Sequence, residues 1–133
     1  MDAARRIVLG CAALLIALPG SAHHSTAMFD LQKRITVAGT VKQFQWTNPH
    51  CWIQLMVSAA DDATEPSEWS IEMASPIQVF QGGWKPTTLK PGDKIMVTIH
   101  PARDGGKSGI FISATGAEGQ ALGKQPSEPQ HVQ

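Results

Sequence analysis

Residues 69–83 read WSIEMASPIQVFQGG, and this segment is the most informative about the fold because it places a short helix directly after a strand. The apolar and polar residues of its first half alternate with the period of a half-buried strand. Ser75 followed by Pro76 is typical of a helix start, with serine as the N-cap and proline in the first turn. The pair Gly82 and Gly83 predicts the end of the helix. The stretch therefore predicts a strand followed by one short helix.

Four further segments of alternating apolar and polar residues surround this stretch. They cover residues 35–42, 51–58, 94–100 and 110–114. Gly39 lies inside the first segment, where glycine tolerates a bulge or a sharp bend. Five short strands with one helix between the third and the fourth predict an all-β fold, mainly β with one short helix, as a small five-stranded OB-like barrel. An immunoglobulin-like β-sandwich is the alternative, although it would need about seven strands and no helix.

The N-terminus has the three parts of a secretory signal peptide, which we assign to residues 1–22. Two arginines precede an apolar run over residues 7–18, and small residues end at Ala22. The run is shorter than the about 20 residues that cross a membrane. We therefore expect cleavage before His23 and a periplasmic location. Cys11 lies in a sequence similar to a lipoprotein cleavage box, but it comes too early in the apolar run for that alternative.

Cleavage would set the composition of the mature chain. Removing 22 of the 133 residues leaves 111, which is enough for one domain with its own core. Basic residues would fall from 11 to 9 and acidic residues from 11 to 10, so the chain lacks the positive charge that nucleic acids and anionic lipids attract. We expect no nucleic-acid partner and no stable membrane insertion. Cys51 would be left without a disulfide partner, and we predict a buried thiol with a raised pKa.

The mature chain divides into three predicted parts. Residues 23–34 form an N-terminal arm, which Met28 and Phe29 could pin to the domain. Residues 35–118 form the barrel. Residues 119–133 are rich in proline, glutamine and serine and are predicted to be a disordered tail.

Histidines supply the most distinctive chemistry of the mature chain. A terminal His23 would offer its free α-amine and its imidazole Nδ1 to one metal ion. A second imidazole, from His24, His50 or His100, would complete a site with three nitrogen ligands. Copper(II) favours such tetragonal nitrogen ligation. The opposing interpretation is that the two terminal histidines are polar residues on a flexible arm, and that His50 forms a hydrogen bond within its own turn.

A second group of residues could bind a ligand or a partner protein. Trp52 has the parity opposite to its inward neighbours, so it should lie on the outer face, where it could form a stacking platform with Trp46 or Phe44. The other residues of this predicted surface are Asn48, Arg103 and Asp104. The opposing interpretations are packing beneath the arm for the tryptophans and a solvated charge pair in a turn for Arg103 and Asp104.

Five short motifs stand out along the chain. They are His23-His24-Ser25, Gly39-Thr40-Val41, Trp46-Thr47-Asn48-Pro49-His50, Leu89-Lys90-Pro91-Gly92-Asp93 and His100-Pro101-Ala102-Arg103-Asp104-Gly105. In combination they resemble a family of small bacterial periplasmic proteins that is classed as a domain of unknown function. The resemblance implies a secreted protein with a small β-barrel, and it implies no activity. Cys51 stands where that family more often has an aliphatic residue, which implies that the thiol is incidental.

Three classes of function remain. The first is a non-enzymatic metal-binding protein that holds copper through His23. The second is a barrel that binds a small ligand or a periplasmic protein without metal. The third is a metal-dependent enzyme, which we disfavour because the sequence has no phosphate loop, nucleophile elbow or paired carboxylates. The first class predicts that His23 meets His50 or His100, whereas the second predicts a cluster of tryptophans at the surface.

Overall fold

A computed structural model describes residues 26–58 and 65–124. The predicted signal peptide, His23 and His24, residues 59–64 and residues 125–133 lie outside the described part of the chain. A 3-10 turn at Thr26–Met28 precedes the barrel. The remaining elements are β1 (Ile35–Gln45), β2 (Trp52–Val57), β3 (Ser67–Glu72), α1 (Pro76–Gln81), β4 (Lys94–Pro101), β5 (Ser108–Gly116) and β6 (Ala121–Leu122).

The first five strands close into a barrel. β1 pairs antiparallel with both β2 and β4, while β2 pairs with β3 and β4 pairs with β5. A parallel pairing between β3 and β5 joins the two ends of the sheet. α1 lies in the connection between β3 and β4. This is the OB-like barrel that the sequence predicts, and its closure excludes the sandwich alternative.

β1 can serve two neighbours because it bends along its length. The register of β1 against β2 shifts between Val41 and Gln43, which marks a bulge. Gly39, two residues earlier, is the point of close approach: an added Cβ would lie 2.9 Å from Leu55 Cγ and closer still to the carbonyl oxygen of Met56. The sequence analysis allowed for a bulge at Gly39, whereas the bulge lies later in β1, between Val41 and Gln43.

The hydrophobic core lies inside the barrel and is formed mainly by the inward-facing residues of the strands. Its fully buried members are Val41, Cys51, Ile53, Leu55, Ile71, Val97 and Ile99. α1 closes one end, where its Val79 is buried beside Trp84. Ser75 begins the helix, and its backbone N and Oγ both donate to Gln78 Oε1, at 3.3 and 2.8 Å. The predicted helix and its serine start are confirmed.

The segment after β5 differs from the disordered tail that we predicted from Gly119. The Gly116 amide donates to the Gln120 carbonyl at 2.8 Å, and this turn brings β6 back onto β5. Leu122 packs against the core, and the Lys124 amide donates to the Gly82 carbonyl at 2.7 Å. Residues 119–124 are therefore part of the barrel domain. Any disorder that we predicted for residues 125–133 lies outside the described part.

Of the two apolar residues predicted to anchor the arm, Met28 and Phe29, only Phe29 is buried. Phe29 is only 6% exposed and forms an isolated bridge with Ala102, whereas Met28 is 57% exposed. Phe29 alone supplies the buried apolar contact, because the bridge to Ala102 turns it toward the barrel and leaves its neighbour in solvent.

Candidate functional site

His50 lies where the turn after β1 enters β2. The Thr47 hydroxyl donates to the His50 carbonyl at 2.9 Å and closes this turn, while Asn48 stays exposed. Beyond the turn, the Cys51 amide donates to the Ala74 carbonyl at 3.0 Å and the Met73 amide donates to the Cys51 carbonyl at 2.9 Å. These bonds extend the ladder between β2 and β3 past its last strand residues. His50 and Glu72 are thereby set on the same outer face as diagonal neighbours.

His50 and Glu72 form the only ion pair between a histidine and a carboxylate within the described residues. His50 Nδ1 contacts Glu72 Oε1 and donates its hydrogen to that carboxylate. Glu72 is 7% exposed, and it is the one charged side chain that is buried in residues 26–58 and 65–124. An imidazole that donates through Nδ1 directs its Nε2 away from the carboxylate. This is the arrangement that orients many metal-binding histidines.

The pair lies in a pocket of about 270 Å³. Its walls are otherwise mostly apolar, and its lining residues are Thr26, His50, Glu72, Met73, Ala74, Ile110 and Phe111. Thr26 belongs to the arm and is the first described residue, only two positions after His24. The first described residue of the arm therefore lies beside His50 and Glu72.

His100 has different surroundings. Its Nδ1 is 2.8 Å from the Lys33 carbonyl, at the far end of the arm from Thr26. In the register of the barrel, His100 faces Ile110 of β5, and Ile110 in turn faces Glu72 of β3. A strand thus separates His100 from Glu72. Of the two barrel histidines that we considered as ligands, only His50 lines the pocket beside Thr26.

The described residues do not form a complete metal site by themselves. Within residues 26–58 and 65–124, no group of three or more histidine, cysteine, aspartate or glutamate side chains could hold a metal ion. The predicted ligands His23 and His24 lie outside the described part, so the predicted convergence with His50 stays a prediction.

The predicted aromatic platform does not form. Trp52 lies on the outer face, opposite to the buried Ile53, as its parity predicts. Trp46, in contrast, packs against the core and meets Phe44 edge-on, with ring centroids 5.8 Å apart. Phe44 also contacts Trp84, which is 3% exposed. Trp46 and Phe44 therefore join an inward aromatic cluster, which leaves Trp52 without the expected stacking partners.

Arg103 and Asp104 make internal contacts. Arg103 Nε donates to the Ala27 carbonyl at 3.1 Å, and the Arg103 amide donates to the Met28 carbonyl at 2.9 Å. Asp104 Oδ1 accepts the Gly106 amide at 2.8 Å within the turn between β4 and β5. Arg103 thus contacts the arm and Asp104 shapes its own turn, and a ligand role for either residue stays a prediction.

Cys51 is confirmed as a buried cysteine. Its side chain is fully buried, and this burial raises the pKa of the thiol above its ordinary value, while a hydrogen bond with the Thr47 backbone acts in the opposite direction. The thiol therefore does not join the His50 site. The sequence analysis did not single out Glu72, the partner of His50. Only the register of β3 against β2 reveals that pairing.

Fold and site together define a small closed OB-like barrel in which the partly exposed His50 pairs with the buried Glu72 beside Thr26 of the N-terminal arm. The chain belongs to a family of unknown function, DUF6152, whose profile matches residues 12–112. This confirms the resemblance to a family of unknown function that the five motifs indicate. No curated protein matches the chain.

Solved structures similar in overall shape include two of the mitochondrial single-stranded DNA-binding protein Rim1 from S. cerevisiae. The first has a TM-score of 0.48 at 10% identity and covers 69% of this chain and 95% of that one. The second, with selenomethionine, has a TM-score of 0.47 at 10% identity and covers 71% of this chain and 98% of that one.

In the part of our chain that the structure describes, no helix is long and apolar enough to cross a membrane.

Proposed function

We propose that this protein is an exported, non-enzymatic metal-binding barrel that holds copper(II) between the mature N-terminal His23 and His50. One observation carries the proposal: Thr26, three residues after His23, lines the same pocket as the oriented pair of His50 and Glu72. The signal peptide supplies the free amine, because its removal makes His23 the first residue.

The distance along the chain is short enough for the two histidines to meet. Three extended residues span at most about 10 Å, which is comparable to the size of the pocket. His23 would therefore reach His50 without any movement of the barrel. His24 lies one position closer and is the alternative source of an imidazole.

The donor groups suit copper(II). His23 would give the α-amine and Nδ1 as a chelate, and His50 would give Nε2, so that three nitrogen atoms meet the ion. Glu72 would keep the His50 ring in place and make it a better donor, in the manner of a carboxylate behind a metal-bound histidine. The apolar wall of the pocket, formed by Ile110 and Phe111, would limit the access of water to one side of the ion.

The test uses untagged mature protein whose first residue is verified as His23 by mass spectrometry of material recovered from the periplasm. We expect one copper(II) per chain, measured by competition with a chromophoric chelator, and an electron paramagnetic resonance spectrum typical of nitrogen ligation. His23→Ala and His50→Gln should each weaken binding by at least about tenfold.

A terminal extension supplies the matched control. Four added residues, Gly-Ser-Gly-Ser, before His23 keep every side chain but move the free amine away, and we expect the same loss of affinity. Copper(II) binding that is unchanged by the extension or by His50→Gln would overturn the proposal. A native terminus other than His23 would overturn it as well, because the chelating amine would then belong to another residue.

A further inference from the structure

The outer face of β1, β2 and β3 carries polar side chains that the proposed copper site does not use. In the register of the sheet, Gln43 of β1 faces Gln54 of β2, and Gln54 faces Ser70 of β3. Gln45 faces Trp52, which lies on the same side of β2 as Gln54. We call these residues the amide face: Gln43, Gln45, Trp52, Gln54 and Ser70.

Hydrogen bonds join the polar side chains of the amide face across the three strands. Ser70 Oγ donates to Gln54 Oε1 at 2.6 Å. Gln54 Nε2 donates to Gln45 Oε1 at 3.3 Å, and Gln45 Nε2 donates to Gln43 Oε1 at 3.4 Å. Each bond uses one of the two hydrogens of an amide nitrogen or a hydroxyl hydrogen, and one lone pair of a carbonyl oxygen. The network therefore keeps further donors and acceptors for a ligand, on side chains that are already ordered.

Trp52 adds an aromatic ring beside this network. Its side chain is half-exposed, and its position on β2 is about 7 Å from that of Gln54. Within residues 26–58 and 65–124, no other ring contacts the indole and no cation lies over it. The face of an indole is apolar and carries partial negative charge, so it attracts weakly positive C–H groups. The amide face thus places an apolar contact next to hydrogen-bonding groups.

The amide face is electrically neutral, and the charged side chains of its strands are paired. Glu72, which faces Trp52, contacts His50, and Glu68 pairs with Lys42 at 2.6 Å. β1, β2 and β3 carry no other charged side chain, so no free cation on these strands would attract an anion. An apolar partner would bury the amides without hydrogen-bond partners, which is unfavourable. The complementary ligand is therefore uncharged, rich in hydroxyl groups and apolar on one side.

We propose that the amide face binds a neutral β-1,4-linked oligosaccharide. A pyranose ring with equatorial hydroxyl groups has a face of C–H bonds that can stack on the indole of Trp52. Its hydroxyl groups both donate and accept hydrogen bonds, as do the amides of Gln45 and Gln54. A β-1,4-linked chain is a flat ribbon, so one ring can lie on Trp52 while the next ring reaches Gln54. The proposal does not depend on a metal.

The experiment titrates cellohexaose into the ¹⁵N-labelled protein recovered from the periplasm, with EDTA present to remove metal ions. We expect saturable shifts in the NMR spectrum at the backbone amides of Gln45, Trp52 and Gln54 and at the indole N–H of Trp52. Maltohexaose contains the same glucose units in a coiled α-1,4-linked chain. It is the ligand control, and we expect it to bind more weakly than cellohexaose.

Substitutions test the ring and the amides separately. Trp52→Ala should weaken binding at least about tenfold, and Trp52→Phe should keep part of the affinity. Gln54→Leu has a similar size but no amide, and it should weaken binding about fivefold. The controls lie on α1: Phe80→Ala removes a ring that is 57% exposed, and Gln81→Leu removes an exposed amide. Both controls should bind like wild type, and the urea midpoint shows whether each variant keeps the folded barrel.

The outcomes separate this proposal from the proposed copper site. Loss of binding in Trp52→Ala and in Gln54→Leu, with neither control affected, would support the amide face. The proposal is wrong if about 10 mM cellohexaose causes no saturable shifts in the wild-type spectrum. It is also wrong if Trp52→Ala binds as tightly as wild type, if a control loses as much affinity, or if maltohexaose binds equally well. Because EDTA is present throughout, none of these results depends on copper(II), and either proposal can fail without the other.

Discussion

Glu72 is a buried carboxylate that pairs with His50 within the described residues. Burial of an ionised group is unfavourable unless a partner compensates for it, and His50 Nδ1 supplies that compensation. The imidazole remains 38% exposed, so the pair connects the barrel wall with the open pocket. Rigid support on one side and access on the other are the two properties that a ligand histidine needs.

Replacement of the Glu72 carboxylate therefore tests the pair directly. We expect Glu72→Gln to weaken copper(II) binding by about 10–100-fold, because the His50 ring loses its charged acceptor. Glu68→Gln is the control: it removes the same charge from the same face of β3, where Glu68 pairs at 2.6 Å with Lys42 on the exposed surface. Equal affinities of the two variants in the chelator competition would contradict a role for Glu72.

Cys51 gives a prediction that is independent of any metal. Burial raises the pKa of its thiol in the folded state above the ordinary value of 9.0, so folding disfavours the thiolate. The associated stability is present at pH values below the pKa of the unfolded thiol and is lost as the pH rises toward the folded pKa. Between neutral pH and about pH 10, wild type should lose more unfolding free energy than Cys51→Val. Urea unfolding at both pH values measures this, and parallel losses would count against the prediction.

Elements with local signals were predictable, and elements that depend on distant partners were not. The start and end signals of α1 lie within a few residues, and the alternation of β2 and β4 is continuous, so both were found. β1 continues to Gln45, beyond the predicted Lys42, because the bulge shifts its alternation. The short β6 carries no strand signal of its own. It exists because the edge of β5 and the indole of Trp84 are available to it.

Truncation at two points measures what β6 contributes. A chain that ends at Lys124 keeps β6 and the bond to the Gly82 carbonyl, and we expect the stability of the full chain. A chain that ends at Glu118 loses the partly buried Leu122 and uncovers Trp84, which should lower the unfolding free energy by about 2 kcal/mol. Tryptophan fluorescence during urea unfolding reports both quantities. Equal midpoints for the two truncations would show that β6 adds nothing to the barrel.

In the candidate site, too, local features were predictable from the sequence and contacts between distant residues were not. Histidine content and an expected cleavage before His23 suggested nitrogen ligands, with His24, His50 and His100 as equal candidates for the second imidazole. The sequence could not select His50 over His100, because that choice depends on where the arm crosses the barrel. Thr26 lies at one histidine and Lys33 at the other. This separation follows from the contacts of the arm with the end of β4 and the residues after it: the Asp30 amide donates to the Pro101 carbonyl, and Phe29 bridges Ala102.

The balance of charges over the whole surface determines whether the barrel can bind nucleic acid. OB-like barrels often bind single-stranded nucleic acid, but that binding depends on neutralised phosphates as well as on stacked bases. The full chain has 11 basic and 11 acidic residues, and after the predicted cleavage it would have 9 and 10, so neither form has such a surplus. We expect the fluorescence anisotropy of a labelled oligothymidylate to stay constant at low salt up to about 10⁻⁴ M protein, the weak limit of non-specific binding.

Replacing Glu65 and Glu68 by lysine changes the net charge by four units, on β3 and on the residues just before it. This variant tests whether charge is the property that limits binding. Binding that appears only in the variant and weakens with salt would agree with that explanation, whereas salt-dependent binding by the wild-type chain would show that the barrel recognises nucleic acid despite its neutrality.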